Sequence, residues 1–215
     1  QYEKLKIIKN KIKFKPEYYK RYSSTKGGIA TPRYGSFFIE IFKENLWLVD
    51  YMGTVYQIDK DEINFEDFKE ISPKIINTNF ESNKVLDIFI HNKKLYISTA
   101  NEIDNCKKLE IFVAELNSDK LNFKKFFSPK ECGDLIFGGK MQFYKHNNLN
   151  GIIFTSHGHK YNEPDNTPQD NNSIYGKVLF VDFKSRDLII FSKGHRLSQG
   201  LFVENDLILQ TEHGP

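Results

Sequence analysis

The segment Val85-Leu86-Asp87-Ile88-Phe89-Ile90, followed after a short polar turn by Lys94-Leu95-Tyr96-Ile97-Ser98-Thr99, decides the fold. Both runs are rich in β-branched, aromatic and other apolar residues, a composition typical of short buried strands. The same unit of strand, polar turn and strand occurs three more times in the chain. These copies are 36–41 with 45–50, 140–144 with 151–156, and 200–203 with 206–211.

The spacing of the copies indicates which all-β architecture they build. Equivalent apolar positions are roughly 50 to 57 residues apart, which is close to the length of a four-stranded propeller blade. Those positions are Leu46, Leu95, Ile152 and Leu207. Third strands are predicted over 54–58, 109–116 and 177–183, and weaker fourth strands over 65–70, 122–127 and 188–192. A β-sandwich is the less favoured alternative, because it would have short strands without this long repeat.

The sequence therefore predicts an all-β fold, a β-propeller of four-stranded blades, over the whole chain. We treat residues 1–215 as one incomplete domain of about three and a half blades, with repeats starting near 36, 85, 140 and 200. Residues 1–27 form an N-terminal segment, and its basic stretch 4–20 is interpreted as a solvated edge strand because apolar and basic residues alternate there. No segment shows apolar residues at helical spacing over three turns.

Composition excludes some function classes. The 31 Lys and Arg residues are interspersed with 28 Asp and Glu residues, which argues against a nucleic-acid partner. No apolar run approaches the roughly 20 residues of a membrane span. Cys106 and Cys132 are the two cysteines. A single disulfide and two unpaired thiols both remain open for them.

Polar and glycine-rich motifs concentrate in the last third of the chain. A long polar insertion over 157–172 connects the second and third strands of the third copy, and connections of that length are commonly functional. The motifs are GGKM at 138–141, QDNNSIYGKVL at 169–179, GHRLSQGL at 194–201 and TEHGP at 211–215.

In order and spacing these motifs resemble the glucose and sorbosone dehydrogenase family, over about residues 136–215. The resemblance implies a propeller that has six blades when complete, binds pyrroloquinoline quinone (PQQ) and calcium, and oxidises aldose sugars. It also implies a periplasmic or secreted protein. The remaining blades would come from sequence outside this chain or from another chain, and the other partner would be a small-molecule sugar or cofactor.

The resemblance assigns roles only where residues match. The Glu212-His213-Gly214-Pro215 turn matches the one whose backbone carbonyls hold calcium, so Gly214 and Pro215 become candidate metal ligands. Arg196 matches an arginine beside the quinone, where a fixed guanidinium stabilises negative charge. Gln199 and Lys140 are the other candidate cofactor-binding residues. We expect Gly200 to permit close backbone approach and His195 to be a hydrogen-bonded packing residue.

Departures from the family pattern matter as much as the matches. The family's catalytic base is a His two residues before the paired glycines, and this chain has Ile136 there. An isoleucine side chain cannot accept a proton. His157 and His159 are the candidate substitute bases, with Asp134 a weaker one. Leu197 stands where the family has Asn, and Lys140 where it has Arg.

Three functions stay open at this point. The first is a PQQ- and calcium-dependent oxidoreductase with an altered active site. The second is a non-catalytic propeller that binds a ligand and has lost the base. The third is a calcium-dependent propeller hydrolase, which would need acidic and amide side chains from several blades to converge on one ion. Asp50, Asn101 and Glu212 are the candidates for such convergence.

Overall fold

The computed structural model describes residues 37–62, 73–82, 84–116, 120–133, 135–159 and 167–213. Within these ranges the regular elements are fifteen β-strands and one short 3-10 turn, Lys60–Glu62. The all-β prediction is therefore confirmed. No helix among the described residues has the length and apolar character of a membrane span. The predicted N-terminal segment 1–27 lies outside the described residues.

The strands form successive antiparallel sheets that correspond to blades. Blade 1 is β1 (Phe37–Phe42), β2 (Asn45–Asp50), β3 (Val55–Asp59) and β4 (Lys74–Thr78). Blade 2 is β5 (Val85–His91), β6 (Lys94–Ile103), β7 (Cys106–Glu115) and β9 (Lys124–Phe127). Blade 3 is β10 (Leu135–His146), β11 (Leu149–His159), β12 (Lys177–Asp182) and β13 (Leu188–Lys193). Blade 4 contains β14 (Ser198–Glu204) and β15 (Leu207–Glu212).

These bounds agree with most of the strands expected from sequence and differ in three places. The fourth strand expected over 65–70 lies outside the described residues, and blade 1 has β4 at Lys74–Thr78 instead. A two-residue strand, β8 (Lys120–Leu121), leaves blade 2 and pairs in parallel with β4. The second strand of blade 3 continues through His157 to His159, so both histidines belong to β11 and precede the loop.

The first two strands of each blade form an antiparallel hairpin, and these hairpins define two ends of the molecule. At the upper end, as we define it, the first strand of each blade begins and the second strand ends. At the lower end these two strands are joined by their turn. Contacts between blades keep the upper ends together: the Lys84 amine, just before β5, donates to the carbonyl of Ile136 at the start of β10.

Apolar side chains from neighbouring blades form the core. One cluster joins blades 1 and 2 and includes Trp47, Val49, Ile88 and Leu95. A second cluster joins blades 2 and 3, and a third joins blade 3 to blade 4 through Ile153, Phe180, Leu201 and Ile208. Because side chains alternate along a strand, each central blade buries both of its faces.

A disulfide between Cys106 and Cys132 fixes the segment that leads from blade 2 into blade 3. Of the two possibilities that the sequence left open, a disulfide and two unpaired thiols, the structure shows the disulfide. The anchored segment, residues 128–133, also holds blade 3: the Glu131 carboxylate accepts hydrogen bonds from the Ser173 hydroxyl at 2.8 Å and the Ile174 amide at 2.9 Å.

Candidate functional site

The upper end of blades 3 and 4 brings several of the sequence motifs together. Gly138 and Gly139 have positive φ angles of 78° and 72°, and the pairing of β10 with β11 shifts register between Gly138 and Met141. A Cβ atom at Gly139 would lie 2.8 Å from Cδ1 of Leu86, and one at Gly138 would lie 3.3 Å from the carbonyl of Ser198. The paired glycines thus let β10 pass close to blade 2 on one side and blade 4 on the other.

His157 lies in this part of the molecule. It is opposite Phe137 in the β10–β11 pairing, and their ring centroids are 5.7 Å apart. His157 is 8% exposed. Alternation places its side chain on the same face of β11 as Ile153, which packs against blade 4. The substitute base predicted from sequence therefore faces the boundary between blades 3 and 4.

Ile136, at the position of the family's base, points the other way. It is 3% exposed and belongs to the cluster between blades 2 and 3. Its carbonyl accepts a hydrogen bond from the Lys84 amine at 2.8 Å, and that amine lies 3.9 Å from the centre of the Phe137 ring. Ile136 thus packs in the core between blades 2 and 3, on the face of β10 opposite to Phe137.

Lys140 is held in an inter-blade contact. Its amine donates to the carbonyl of Leu86 and to Oδ1 of Asp87, both at 3.1 Å. The other oxygen of the Asp87 carboxylate accepts the Met141 amide at 2.9 Å. Binding a cofactor through Lys140 would require these contacts to break. Nothing in the local sequence indicates the pair, because the two residues are 53 positions apart.

Glu212 organises the loop that contains Arg196. Its carboxylate accepts a hydrogen bond from the Arg196 amide and lies 3.2 Å from Nδ1 of His195. Burial by itself would raise the pKa of Glu212, but the hydrogen bonds from Arg196 and His195 outweigh it, and the net pKa is lowered. Nε2 of His195 lies 2.7 Å from the Ser192 hydroxyl. His195 is therefore hydrogen-bonded on both ring nitrogens, as expected of a packing residue.

Gln199 and Gly200 mark an irregularity at the start of β14. Ser198 pairs with Glu212 and Gly200 pairs with Thr211, so Gln199 occupies a bulge and is exposed. A Cβ atom at Gly200 would lie 2.5 Å from Oγ1 of Thr211. Glycine at position 200 therefore leaves room for the Thr211 side chain, whereas the close approach expected from sequence was of backbone. The bulge leaves the Gln199 side chain at the upper end, accessible to a ligand.

The acidic and amide residues proposed for a propeller hydrolase have local partners. Asp50 accepts from the amides of Met52 and Thr54, both at 2.9 Å, and closes its own turn. Asn101 binds the Ser82 hydroxyl and the Glu110 carboxylate. Across the described ranges, no group of three or more His, Cys, Asp or Glu side chains is arranged to hold a metal ion.

The structure does not describe the side chains of four predicted site residues. Asp134, Gly214 and Pro215 lie outside the described residues, and His159 is the last residue of β11. Among the described residues, two positions depart from the arrangement that the resemblance implies. Position 136 offers no proton acceptor, and the Lys140 amine is bound to Asp87. Arg196 and Gln199 remain at the exposed upper end.

Comparisons with known proteins agree with this fold. A family model described as Glucose / Sorbosone dehydrogenase matches residues 81–215. Among solved structures, a protein of Thermus thermophilus, provisionally assigned as an oxidoreductase (glucose dehydrogenase), has 15% sequence identity and a TM-score of 0.58. That match covers 83% of this chain and 57% of the Thermus protein. At such identity the likeness concerns the fold alone.

A weaker structural match is the computationally designed Ika4 protein, with 9% identity and a TM-score of 0.46. It covers 88% of this chain and 89% of the designed one. No curated protein matches the sequence. The chain thus spans 57% of the length of the Thermus protein, and it has the strand architecture of part of a propeller.

Proposed function

The chain belongs to the glucose/sorbosone dehydrogenase family, and on that premise we propose a dehydrogenase-like propeller that binds a sugar without oxidising it through the family's base. The observation that carries this proposal is the burial of Ile136 between blades 2 and 3. Oxidation of a sugar hydroxyl requires a group that accepts its proton. Loss of a general base typically lowers the rate by about 10² to 10⁴.

The upper end of blades 3 and 4 supports the binding part of the proposal. Arg196 and Gln199 are exposed there, and the Glu212 carboxylate, with its lowered pKa, is charged at neutral pH. Guanidinium, amide and carboxylate groups together donate and accept the hydrogen bonds that sugar hydroxyls make. We name this group of three side chains the upper edge. Its ligand would be an aldose or a small polar cofactor.

A second candidate function rests on His157. Its side chain faces blade 4 and lies across from Phe137, next to the strand position that holds the base in the family. An imidazole there could take the proton of a sugar hydroxyl. In this case Arg196, Gln199 and the Gly214-Pro215 turn would hold PQQ and calcium, and the quinone would supply the hydride-accepting chemistry. The protein would then be an aldose oxidoreductase with a relocated base.

One set of assays separates the two functions. The full-length protein and its His157→Ala variant are mixed with PQQ, calcium, D-glucose and a redox dye, and glucose binding is measured by calorimetry. We expect glucose binding without dye reduction in either protein. Dye reduction that disappears in His157→Ala would favour the oxidoreductase, and reduction that persists would contradict both functions. An Arg196→Ala variant should weaken binding, whereas Lys43→Ala, at an exposed position in the turn between β1 and β2, should not.

The disulfide supports a periplasmic or secreted location. Structural disulfides form and persist mainly in oxidising compartments, and the Cys106–Cys132 bond closes the segment that supports blade 3. We further propose that sequence outside this chain, or a second chain, supplies the remaining blades. The calcium-dependent hydrolase has no comparable support, because Asp50 and Asn101 are each hydrogen-bonded within their own surroundings.

A further inference from the structure

A groove at the lower end, far along the strands from the upper edge, has the composition of a second ligand site. It has a volume of about 670 Å³ and lies where β5, β10 and β12 end, between blades 2 and 3. Small-molecule sites commonly occupy about 300 to 1,000 Å³. We call it the lower groove. No motif of the sequence analysis falls in it.

Three aromatic rings of the lower groove lie nearly parallel. His91 is stacked on Phe143 at 4.2 Å and 9°, and on Phe183 at 5.5 Å and 13°. The rings of Phe143 and Phe183 are themselves within 14° of parallel. Burial lowers the pKa of His91, which favours the uncharged imidazole. These half-buried rings form an uncharged aromatic surface made by two neighbouring blades.

Polar side chains surround that surface. Asn92, Asn148 and Asn150 line the lower groove and are exposed. Each amide offers both donors and acceptors. The two charged residues of the lining, Asp182 and Lys184, have opposite signs. The Asp182 carboxylate is already engaged, since it accepts the amides of Lys184 at 2.8 Å and Ser185 at 2.6 Å.

From this combination we propose that the lower groove binds the pyranose ring of a neutral sugar. A pyranose has an apolar face of C–H groups that packs on aromatic rings and a periphery of hydroxyls that pair with amides. An apolar ligand would bury the three asparagines without hydrogen bonds, which is costly. A strongly charged ligand is not favoured either, because the charges of Asp182 and Lys184 in the lining have opposite signs.

The proposal is tested with two sugars, so that a free monosaccharide and a chain end can be distinguished. Calorimetric titrations use D-glucose and maltotriose with the full-length protein carrying Arg196→Ala, which removes a side chain of the upper edge. Adding Asn148→Ala should weaken binding about fivefold, as expected for one lost hydrogen bond. Asp206→Ala is the matched control, because Asp206 holds the corresponding position in the β14–β15 turn and should leave binding unchanged.

Amide chemical shifts give a readout that does not depend on affinity alone. We expect sugar to shift the side-chain amide signals of Asn92, Asn148 and Asn150 in ¹H–¹⁵N spectra, while both variants keep the parent's unfolding midpoint. Binding of either sugar with these shifts supports the site. Binding that Asn148→Ala leaves unchanged, or no binding of either sugar, would overturn it. The upper edge is tested separately by the effect of Arg196→Ala, so the two proposals fail independently.

Discussion

Glu40 is a carboxyl group whose pKa the fold moves into the neutral range. Burial on β1, with a smaller effect of the Asp87 charge, raises the pKa of Glu40 from 4.5 to about 7. The folded protein therefore favours the protonated carboxyl. The contribution of the Glu40 carboxyl to the unfolding free energy is therefore fully present below pH 4.5. It is lost as the pH rises through about 7, because the buried carboxyl then ionises.

Replacing Glu40 with Gln should remove that loss. We expect Glu40→Gln to raise the unfolding free energy by about 1 to 2 kcal/mol at pH 8, with little change at pH 4.5, after discounting the full shift for solvent screening. Urea unfolding at both pH values measures the effect. Glu204→Gln, at an exposed position of β14, is the control and should show no such pH dependence. An equal change at both pH values would show that Glu40 acts through packing.

Gly139 tests the close approach of blades 2 and 3. A side chain there combines a positive φ angle with a contact of 2.8 Å to Leu86, so Gly139→Ala should lower the unfolding free energy by about 2 to 4 kcal/mol. Gly194→Ala is the matched control. It has a similar positive φ, but its new Cβ would meet the end of the Gln169 side chain, which can move. A loss of about 1 kcal/mol is expected there. Equal losses in denaturant titrations would refute the close-packing explanation.

At the scale of elements, the disulfide-anchored segment 128–133 connects blades 2 and 3. The Tyr175 hydroxyl donates to the carbonyl of Glu131 at 3.2 Å, which adds to the carboxylate contacts of that residue. The two cysteines are 26 positions apart. A loop of that size predicts that replacing both cysteines with Ser lowers the unfolding free energy by about 3 kcal/mol.

Unfolding with and without reductant checks the disulfide prediction. Reduced wild-type protein should have the same urea midpoint as the Cys106→Ser, Cys132→Ser variant, and oxidised wild type should have a higher one. The reductant should not change the midpoint of the double variant. Identical midpoints for oxidised and reduced wild type would contradict a stabilising role for the bond.

The strands were largely predictable because their apolar runs repeat at a constant spacing, but their upper ends were not. Residues 101–103 and 157–159 are polar or mixed, and they remain in the ladder because the neighbouring strand offers backbone partners. The apolar pattern by itself therefore predicts that both strands end earlier than they do. The contact of Lys140 with Asp87 was equally invisible, since it depends on how two blades pack. The sequence motifs contain the residues of the upper edge, whereas the lower groove forms only where blades 2 and 3 pack together.

At the scale of the whole molecule, blade 4 leaves one face open among the described residues. Phe202, Leu207 and Leu209 are 51 to 53% exposed, and alternation puts them on the face of β14 and β15 that points away from blade 3. Apolar patches of this kind mark surfaces that another element covers. The remaining blades proposed above would supply that cover.

The open face predicts the behaviour of residues 1–215 expressed alone. We expect this chain to self-associate in sedimentation velocity at micromolar concentration, because pairing would bury the three apolar side chains. Phe202→Glu with Leu209→Glu should restore the monomer. A matched change on the lower turn, Asp206→Lys, should not. A monomeric parent chain with the same side chains exposed would contradict this prediction.

The central claim is that position 136 provides packing where the family has a base. Its most direct test is single-turnover reduction of PQQ by D-glucose in the calcium-loaded full-length protein, followed by absorbance in a stopped-flow instrument. We predict that glucose binds and that the spectrum of the oxidised quinone does not change. Reduction of the quinone at a rate that His157→Ala leaves unaltered would contradict the claim.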